Sequence, residues 1–535
     1  LPQNRKKSPR AFAGAALALS LTVLPVCLLF ASLLLNPSAW TEFTQALSSG
    51  RTWRLFRFTA FQAFLSALFS TLLGFPAGFL LARYDFPGKK FVSALFSLPF
   101  IIPSLLVCLG FARFFGNAGI INAALSAIGL KPIPFLYGFW GIILVHTFYN
   151  IPLAGRFVSD SLTKSDPHLE ESACLLGAGP LRRFISITLP EAMPGLLAVF
   201  PLIFLYCFQS FSVVLLLGGG PRFSTLELEI YQAFKFSFQY GRATALTLFG
   251  LLTGILALSL HLRFSRVKTF AITSPESFEK RRRLPPLGLA FAGLYAALLA
   301  LFIGGPIISL IASSLSARLS RAGGAAFSLS QYRSLFFSAS SLEFLRALGN
   351  SLLLGLCAGL VSALLALACV EILRKNPQSD LVYSASVFPL AVSPVILAQA
   401  YSFLAKTALD FPLLAFYQGI VALPLATQTL YARYQKIPRS YEEAARSLGA
   451  SGLKAFLTVR FPLSRRAAFA AAAFSFSLSQ GDVTGVLMFN IPNFETLSLY
   501  IYRLSGAYRF EMASAAGIIL LALCAGSFFI AEKSA

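Results

Sequence analysis

Charged residues are scarce in this chain. Of its 535 residues only 12% are Asp, Glu, Lys or Arg, against about a quarter in soluble globular proteins. Hydrophobic residues make up 56%, more than a water-soluble fold of this size could hide, so the surrounding solvent must itself be apolar. Histidine is rarer still: His146, His168 and His261 are all there are. The seven cysteines form no Cys-x-x-Cys pair, which argues against a disulfide framework or a metal site. All but Cys174 fall in apolar runs and read as small packing residues. No Gly-x-x-x-x-Gly-Lys-Ser/Thr loop is present, and Gly218-Gly219-Gly220 is followed by Pro221 rather than Lys. ATP is therefore not held in that way, and the glycine run reads as a turn. No carboxylate pair or Cys/His cluster suggests catalysis. The sequence predicts no catalytic residues, no cofactor and no metal.

What the chain does have is length in its apolar runs. A membrane helix needs about 20 predominantly apolar residues. Twelve such spans are read, at 11–35, 55–82, 91–115, 136–158, 193–217, 243–262, 287–313, 345–372, 382–404, 413–432, 465–489 and 512–531. Backbone polar groups inside a bilayer must be satisfied within each span, so these are expected to be helices. The first run follows a basic stretch but is long for a signal sequence and has no clear cleavage site, so it is read as an uncleaved anchor.

The net charge of +23 would suggest nucleic acid in a soluble protein. Here its distribution is more informative. With both termini cytoplasmic, the inner segments hold 29 of the 44 Lys and Arg residues, as the positive-inside rule requires. The clusters Arg5-Lys6-Lys7 and Lys280-Arg281-Arg282-Arg283 are then expected to meet anionic lipid headgroups; nucleic-acid binding is the weaker reading.

An internal repeat sets the domain organisation. Residues 171–190 (ESACLLGAGPLRRFISITLP) and 443–462 (EAARSLGASGLKAFLTVRFP) share one frame, with Glu171/Glu443, Gly177/Gly449 and Pro190/Pro462 each 272 residues apart. Phe223 to Tyr231 parallels Phe494 to Tyr502 at an offset of 271, and the prolines near FIIPSLL resemble those of FPLAVSPVIL. The expected layout is a first six-span half (1–262), a basic cytoplasmic linker (263–286) and a second six-span half (287–535). An even number of spans per half puts both copies of the loop on one face, around a pseudo-two-fold axis along the membrane normal.

Each loop is expected to begin as a short helix. Ser165-Asp166-Pro167 and Pro438-Arg439-Ser440 supply start signals, and Glu170-Glu171 and Glu442-Glu443 lie in the first turn, where the helix dipole favours anions. Small residues (Ser172, Ala173, Ala444, Ala445) leave room for another surface. Gly177 and Gly449 suit a helix end with positive φ. A second helix follows, and Pro190 and Pro462 are expected to restart the chain for the next span. A single copy would pass for an ordinary surface helix-turn-helix. Two copies at equivalent places suggest an element presented twice to a two-fold partner.

These loops resemble the EAA loops of ABC importer permeases, the elements that dock into nucleotide-binding subunits. By that resemblance Glu171, Ala173 and Gly177, with Glu443, Ala444, Ala445 and Gly449, are the ATPase-coupling positions; Ser172 replaces an Ala and Phe461 a Leu. The resemblance implies an all-α, MetI-like type I permease fold in a bacterial inner membrane. It also implies a separate ABC ATPase, acting as a dimer, and a periplasmic or lipid-anchored substrate-binding protein. Fused permeases of this length resemble the thiamine and ferric iron branches. Leu217 to Pro221 with Thr225, Glu227, Ile230, Tyr231 and Gln232, together with Phe61 to Leu68, Tyr137-Gly138, His146, Asn150-Ile151-Pro152, Gly481-Asp482 and Leu499-Tyr500, are similar to the thiamine and thiamine-diphosphate subfamily. Ferric iron is the alternative cargo. An ion-driven secondary transporter also suits twelve spans, but it has no use for the repeated loop.

Four residues are candidates for the pathway. Asp482 lies within an expected span, where a charge is costly and should face a partner or the pathway. It could help a thiazolium cation pass, or be tied to an Arg near a span end. His146 is also within a span and could simply bond a neighbouring helix. Tyr206 and Phe211 could stack on an aromatic cation.

Overall fold

The computed structural model describes residues 9–96, 98–165, 168–265, 282–318, 325–338, 341–375, 380–405 and 409–534. Arg5-Lys6-Lys7, Lys280-Arg281, residues 266–281 of the expected linker and Asp166-Pro167 lie outside them. The described chain is almost entirely helical, with two short strand pairs. Tyr84–Asp85 runs parallel to Arg282–Arg283, and Ser316–Arg318 runs antiparallel to Ala325–Phe327.

Helix occupies all twelve expected spans, but not always as one rod. Among the described residues, eight helices are long and apolar enough to cross a membrane, or ten if each of two bent pairs counts as one span. The other two, Phe139–Thr163 and Phe461–Gly481, are long enough at about 1.5 Å per residue but more polar. The first buries His146, Thr147 and Asn150, and the second carries Arg465 and Arg466 near its start.

Proline explains most of the breaks, because it lacks an N–H and its ring clashes with the carbonyl four residues back. The 91–115 segment divides into Lys89–Leu95, Leu98–Ile101 and Ser104–Phe115 around Pro99 and Pro103. Its counterpart bends by 93° between Ser384–Ala391 and Pro394–Leu404. The first span likewise turns by 105° between Leu19–Leu34 and Pro37–Ser48.

Burial follows the helical period. On Ser341–Lys375, Leu354, Ala358, Ser362, Ala366 and Val370 face the protein and are buried. On the opposite stripe Leu353, Leu356, Leu360 and Leu364 are each more than half exposed. In water that apolar stripe would be penalised by roughly 25 cal/mol per Å²; in a bilayer it is solvated. Trp40, Trp53 and Trp140 are all exposed, as suits residues that anchor at a membrane–water interface.

The halves interlock. Pro9–Leu34 packs on Asp380–Val387 and Pro394–Leu404, while Pro286–Ser314 packs on Ser104–Phe115. At the second crossing the Ser309 hydroxyl donates to the Gly110 carbonyl at 3.0 Å. A Cβ on Gly110 would lie 2.6 Å from the Pro306 carbonyl oxygen. At the first crossing the Tyr401 hydroxyl donates to the Leu21 carbonyl. The repeat extends to single bonds: the Leu226 amide donates to Thr59 Oγ1 at 3.0 Å, and the Leu497 amide to Ser351 Oγ at 2.8 Å.

Candidate functional site

The two copies of the loop have one backbone design. The first runs through helices His168–Leu175 and Pro180–Arg183, then a π-turn at Phe184–Thr188, into Leu189–Phe208. The second runs through Arg439–Ser447 and Gly452–Ala455, then a π-turn at Phe456–Arg460, into Phe461–Gly481. Gly177 and Gly449 have φ of +76° and +82°. Each closes the preceding helix with a Schellman pair. Gly177 N–H donates to Cys174 O and Ala178 N–H to Ala173 O; Gly449 N–H donates to Arg446 O and Ala450 N–H to Ala445 O.

Pro190 and Pro462 do not restart the chain, as the sequence had suggested. Each falls at the start of a helix that continues unbroken from a π-turn. The widened turn relieves the clash that proline would otherwise make with the preceding turn. The surface helix is therefore joined mechanically to the span that follows it.

The exposed face repeats as well. Leu176, Leu181 and Ile185 are 87%, 72% and 54% exposed, and Leu448, Leu453 and Leu457 are 89%, 70% and 55% exposed. These apolar side chains lie at one offset of 272. Glu171 and Glu443 are also exposed, as are Ser172 and Ala444, whereas Ala173 and Ala445 are half-buried. The sequence drew attention to Glu171 and Glu443; the acids that hold the loops to the body are their neighbours. Glu170 accepts from Thr188 Oγ1 at 2.9 Å and lies 3.8 Å from Arg83. Arg83 also pairs with Glu191 at 2.6 Å. Glu442 is held by Arg460 at 2.5 Å, Arg446 at 2.6 Å and Arg374 at 3.5 Å. Arg460, 3% exposed, pairs in addition with Glu371 at 3.0 Å. Burial alone would raise the Glu442 carboxyl; the hydrogen bond and charge of Arg460, with Arg446 and Arg374, outweigh it and hold the group below its ordinary value. Apart from Arg446, one turn along the same helix, the arginines are distant in sequence, so spacing could not have revealed these anchors.

The helices after each loop break again deeper in the chain. Leu189–Phe208 ends at Gln209 before Ser212–Leu217, and Phe461–Gly481 ends at Asp482 before Thr484–Phe489. Between the breaks is a cavity of about 380 Å³, lined from both halves by Pro103, Tyr149, Phe211, Pro394, Gly481 and Asp482 among others. Gln209 Nε2 bridges the halves by donating to Leu390 O and Ala391 O, each at 3.2 Å.

The four pathway candidates separate. Asp482 and Phe211 are in the cavity wall. Among the described residues no arginine pairs with Asp482; its carboxylate accepts from Gln418 Nε2 at 3.1 Å, Thr484 N at 2.9 Å and Gly485 N at 3.2 Å. His146 is buried outside that wall, with Nδ1 3.1 Å from Ser66 Oγ. Tyr206 is 42% exposed and likewise outside the wall. His168 lies 3.3 Å from Glu171 on the first loop, and His261 Nδ1 bonds the Ala198 carbonyl at 2.8 Å.

Comparison with known proteins places this arrangement. Residues 74–268 and 355–533 each match the family described as "Binding-protein-dependent transport system inner membrane component". The thiamine transport system permease protein ThiP of Brucella abortus is 30% identical over 90% of this chain and 88% of its own length. The protein of that name in Escherichia coli K12 is 28% identical over 90% and 89%. The sulfate transport system permease protein CysT of Salmonella typhimurium is 30% identical, over 48% of this chain but 93% of itself. Nearly a whole permease of that kind thus corresponds to about half of this one. The chain belongs to the binding-protein-dependent transport system inner membrane components: it is a multi-pass permease subunit of an ABC importer, with two such units joined in one polypeptide.

Proposed function

We propose that this permease imports thiamine or its phosphates, and that its two loops are the docking points of an ATPase dimer. The observation that carries the coupling role is the repeated loop itself. Two identical turns, two π-junctions and two exposed apolar triplets at one spacing suit a partner with two equivalent sockets. Glu171, Ala173, Gly177, Glu443, Ala444, Ala445 and Gly449 are the positions assigned to that contact. On ATP binding the sockets approach one another, each loop is carried with its socket, and the unbroken path through the π-turn passes the motion to the helices that end at Gln209 and Asp482. The cavity between those ends then alternates in access.

The cargo reading rests on likeness to the thiamine permeases over most of the chain and on an acidic, aromatic cavity wall that suits a thiazolium ring. A substrate-binding protein delivers the cargo to the outer face. Both termini and both loops face the cytoplasm, where the basic segments meet anionic lipid, and the halves are bounded at 1–262 and 287–535 with 263–286 as linker.

The test is reconstitution with the ATPase in vesicles. Thiamine-loaded binding protein is expected to stimulate ATP hydrolysis and drive uptake. Stimulation by an iron-loaded binding protein alone would replace thiamine with ferric iron. Uptake that persists without any ATPase subunit would overturn the coupling role.

A further inference from the structure

Among the described residues, two buried polar atoms lack partners around one short helix. Glu227, on Leu226–Lys235, is fully buried. Its Oε2 accepts from the Ser393 hydroxyl of the other half at 2.7 Å, while Oε1 has no hydrogen-bond partner among the described residues. Gln399 Nε2 is in the same position. Both lie at Pro394–Leu404. Ser393 caps that helix by accepting from Ile396 N–H, Gln399 lies within it, and Tyr417 is within electrostatic reach of both Glu227 and Asp482. Pro394, next to Ser393, is in the cavity wall with Asp482. Among the described residues, no Lys or Arg pairs with either acid.

A carboxyl group buried without a counter-ion and with one oxygen unpaired is a costly thing to keep. The fold does not need it. At the offset of 271 the equivalent of Glu227 is Ser498, whose hydroxyl donates to the Asp482 carbonyl in the second half. The same helix is thus built with a small neutral residue at that place, and the acid in the first half answers to something else. A carboxyl group with an unfilled oxygen, hydrogen-bonded to the residue just before Pro394 in the wall of a cavity that also holds Asp482, Tyr149 and Phe211, has the chemistry to ionise and pair with a positively charged ring.

We propose that Glu227 is the residue that meets a cationic organic substrate as it crosses between the halves, with Ser393 holding the carboxylate closed until it does. This rests on the thiamine reading, since the thiazolium ring carries a permanent positive charge. Glu227→Gln keeps the size of the side chain and can still accept from Ser393, but it cannot ionise. Glu227→Asp keeps an ionisable carboxyl.

The experiment measures uptake of thiamine and of its neutral thiophene isostere in the reconstituted system. The same binding protein is used throughout, so its own preference cancels when variants are compared. E227Q is expected to lower the thiamine-to-isostere uptake ratio by about tenfold, and E227D to restore most of it. Loss of both substrates together, or no change in the ratio, would overturn the proposal. Ser393→Ala, which frees the carboxylate, gives an independent reading: it is expected to raise thiamine uptake relative to the isostere, and an unchanged ratio there counts against the latch. Wild-type vesicles that import neither compound would instead overturn the thiamine reading, and this inference with it.

Discussion

Replacing Glu442 with Gln should loosen one loop while leaving the membrane body intact. Glu442 joins the helix Arg439–Ser447 to Arg460, which lies at the π-turn, and to Arg374, near the end of a long span. Stripping one partner from a fully buried ion pair costs about 3–5 kcal/mol. Here the loss is smaller, because Arg460 retains Glu371 at 3.0 Å. Arg446 is more than half exposed, and its share is small because solvent screens it. What remains is a hydrogen-bonded charge contact of about 2 kcal/mol, which shifts the docked-to-loose equilibrium of the loop by about 30-fold. Hydrogen exchange on the complex in lipid nanodiscs should show faster exchange over 439–447, and the ATP hydrolysed per substrate imported should rise. Glu170→Gln should do less, since Arg83 keeps Glu191 at 2.6 Å. The pH dependence has a defined sign. The Glu442 carboxyl is held below its ordinary value, so its contribution is complete above the ordinary glutamate value of about 4.3 and is lost only as pH falls through the lower, folded value. Protection of the wild-type loop should therefore be flat through neutral pH and decline only in acid. Unchanged exchange and unchanged coupling in E442Q would refute the anchoring argument.

Leu176→Asp with Leu448→Asp should abolish co-purification of the ATPase without lowering thermal stability, because both side chains are nearly nine-tenths exposed; a fall in melting temperature would show them to be structural. Gly177→Ala and Gly449→Ala place a Cβ at φ of +76° and +82°, a strain of about 1–2 kcal/mol each, and should reduce coupled uptake while membrane insertion, read by protease accessibility, is unchanged. Gly110→Leu should prevent the halves from interlocking, since even a Cβ would lie 2.6 Å from Pro306 O; a monodisperse, transport-active variant would contradict the packing described.

The fold class was legible because a bilayer imposes a length and a composition that few other environments demand. The duplication was legible because Glu171/Glu443, Gly177/Gly449 and Pro190/Pro462 share one offset. Even the helix-ending role of the two glycines could be foreseen, since a Schellman closure favours a residue without a Cβ. Asp482 stood out because charge is rare in an apolar run. Glu227 drew attention only as part of a family-like block, because a run of Leu and Glu reads as a short surface helix when no burial is known.

The sequence by itself determined that the chain is a membrane protein, that it has two halves, and that each half presents the same loop. Those properties are written in local composition and in spacing. Tertiary structure alone decided which acid holds each loop, since Arg83, Arg374 and Arg460 reach Glu170 and Glu442 from other elements. It also turned the expected break at Pro190 and Pro462 into a continuous π-junction, and it set Glu227 against Ser393 across 166 residues of chain. Periodicity describes one element at a time, whereas contacts between the halves depend on how both pack.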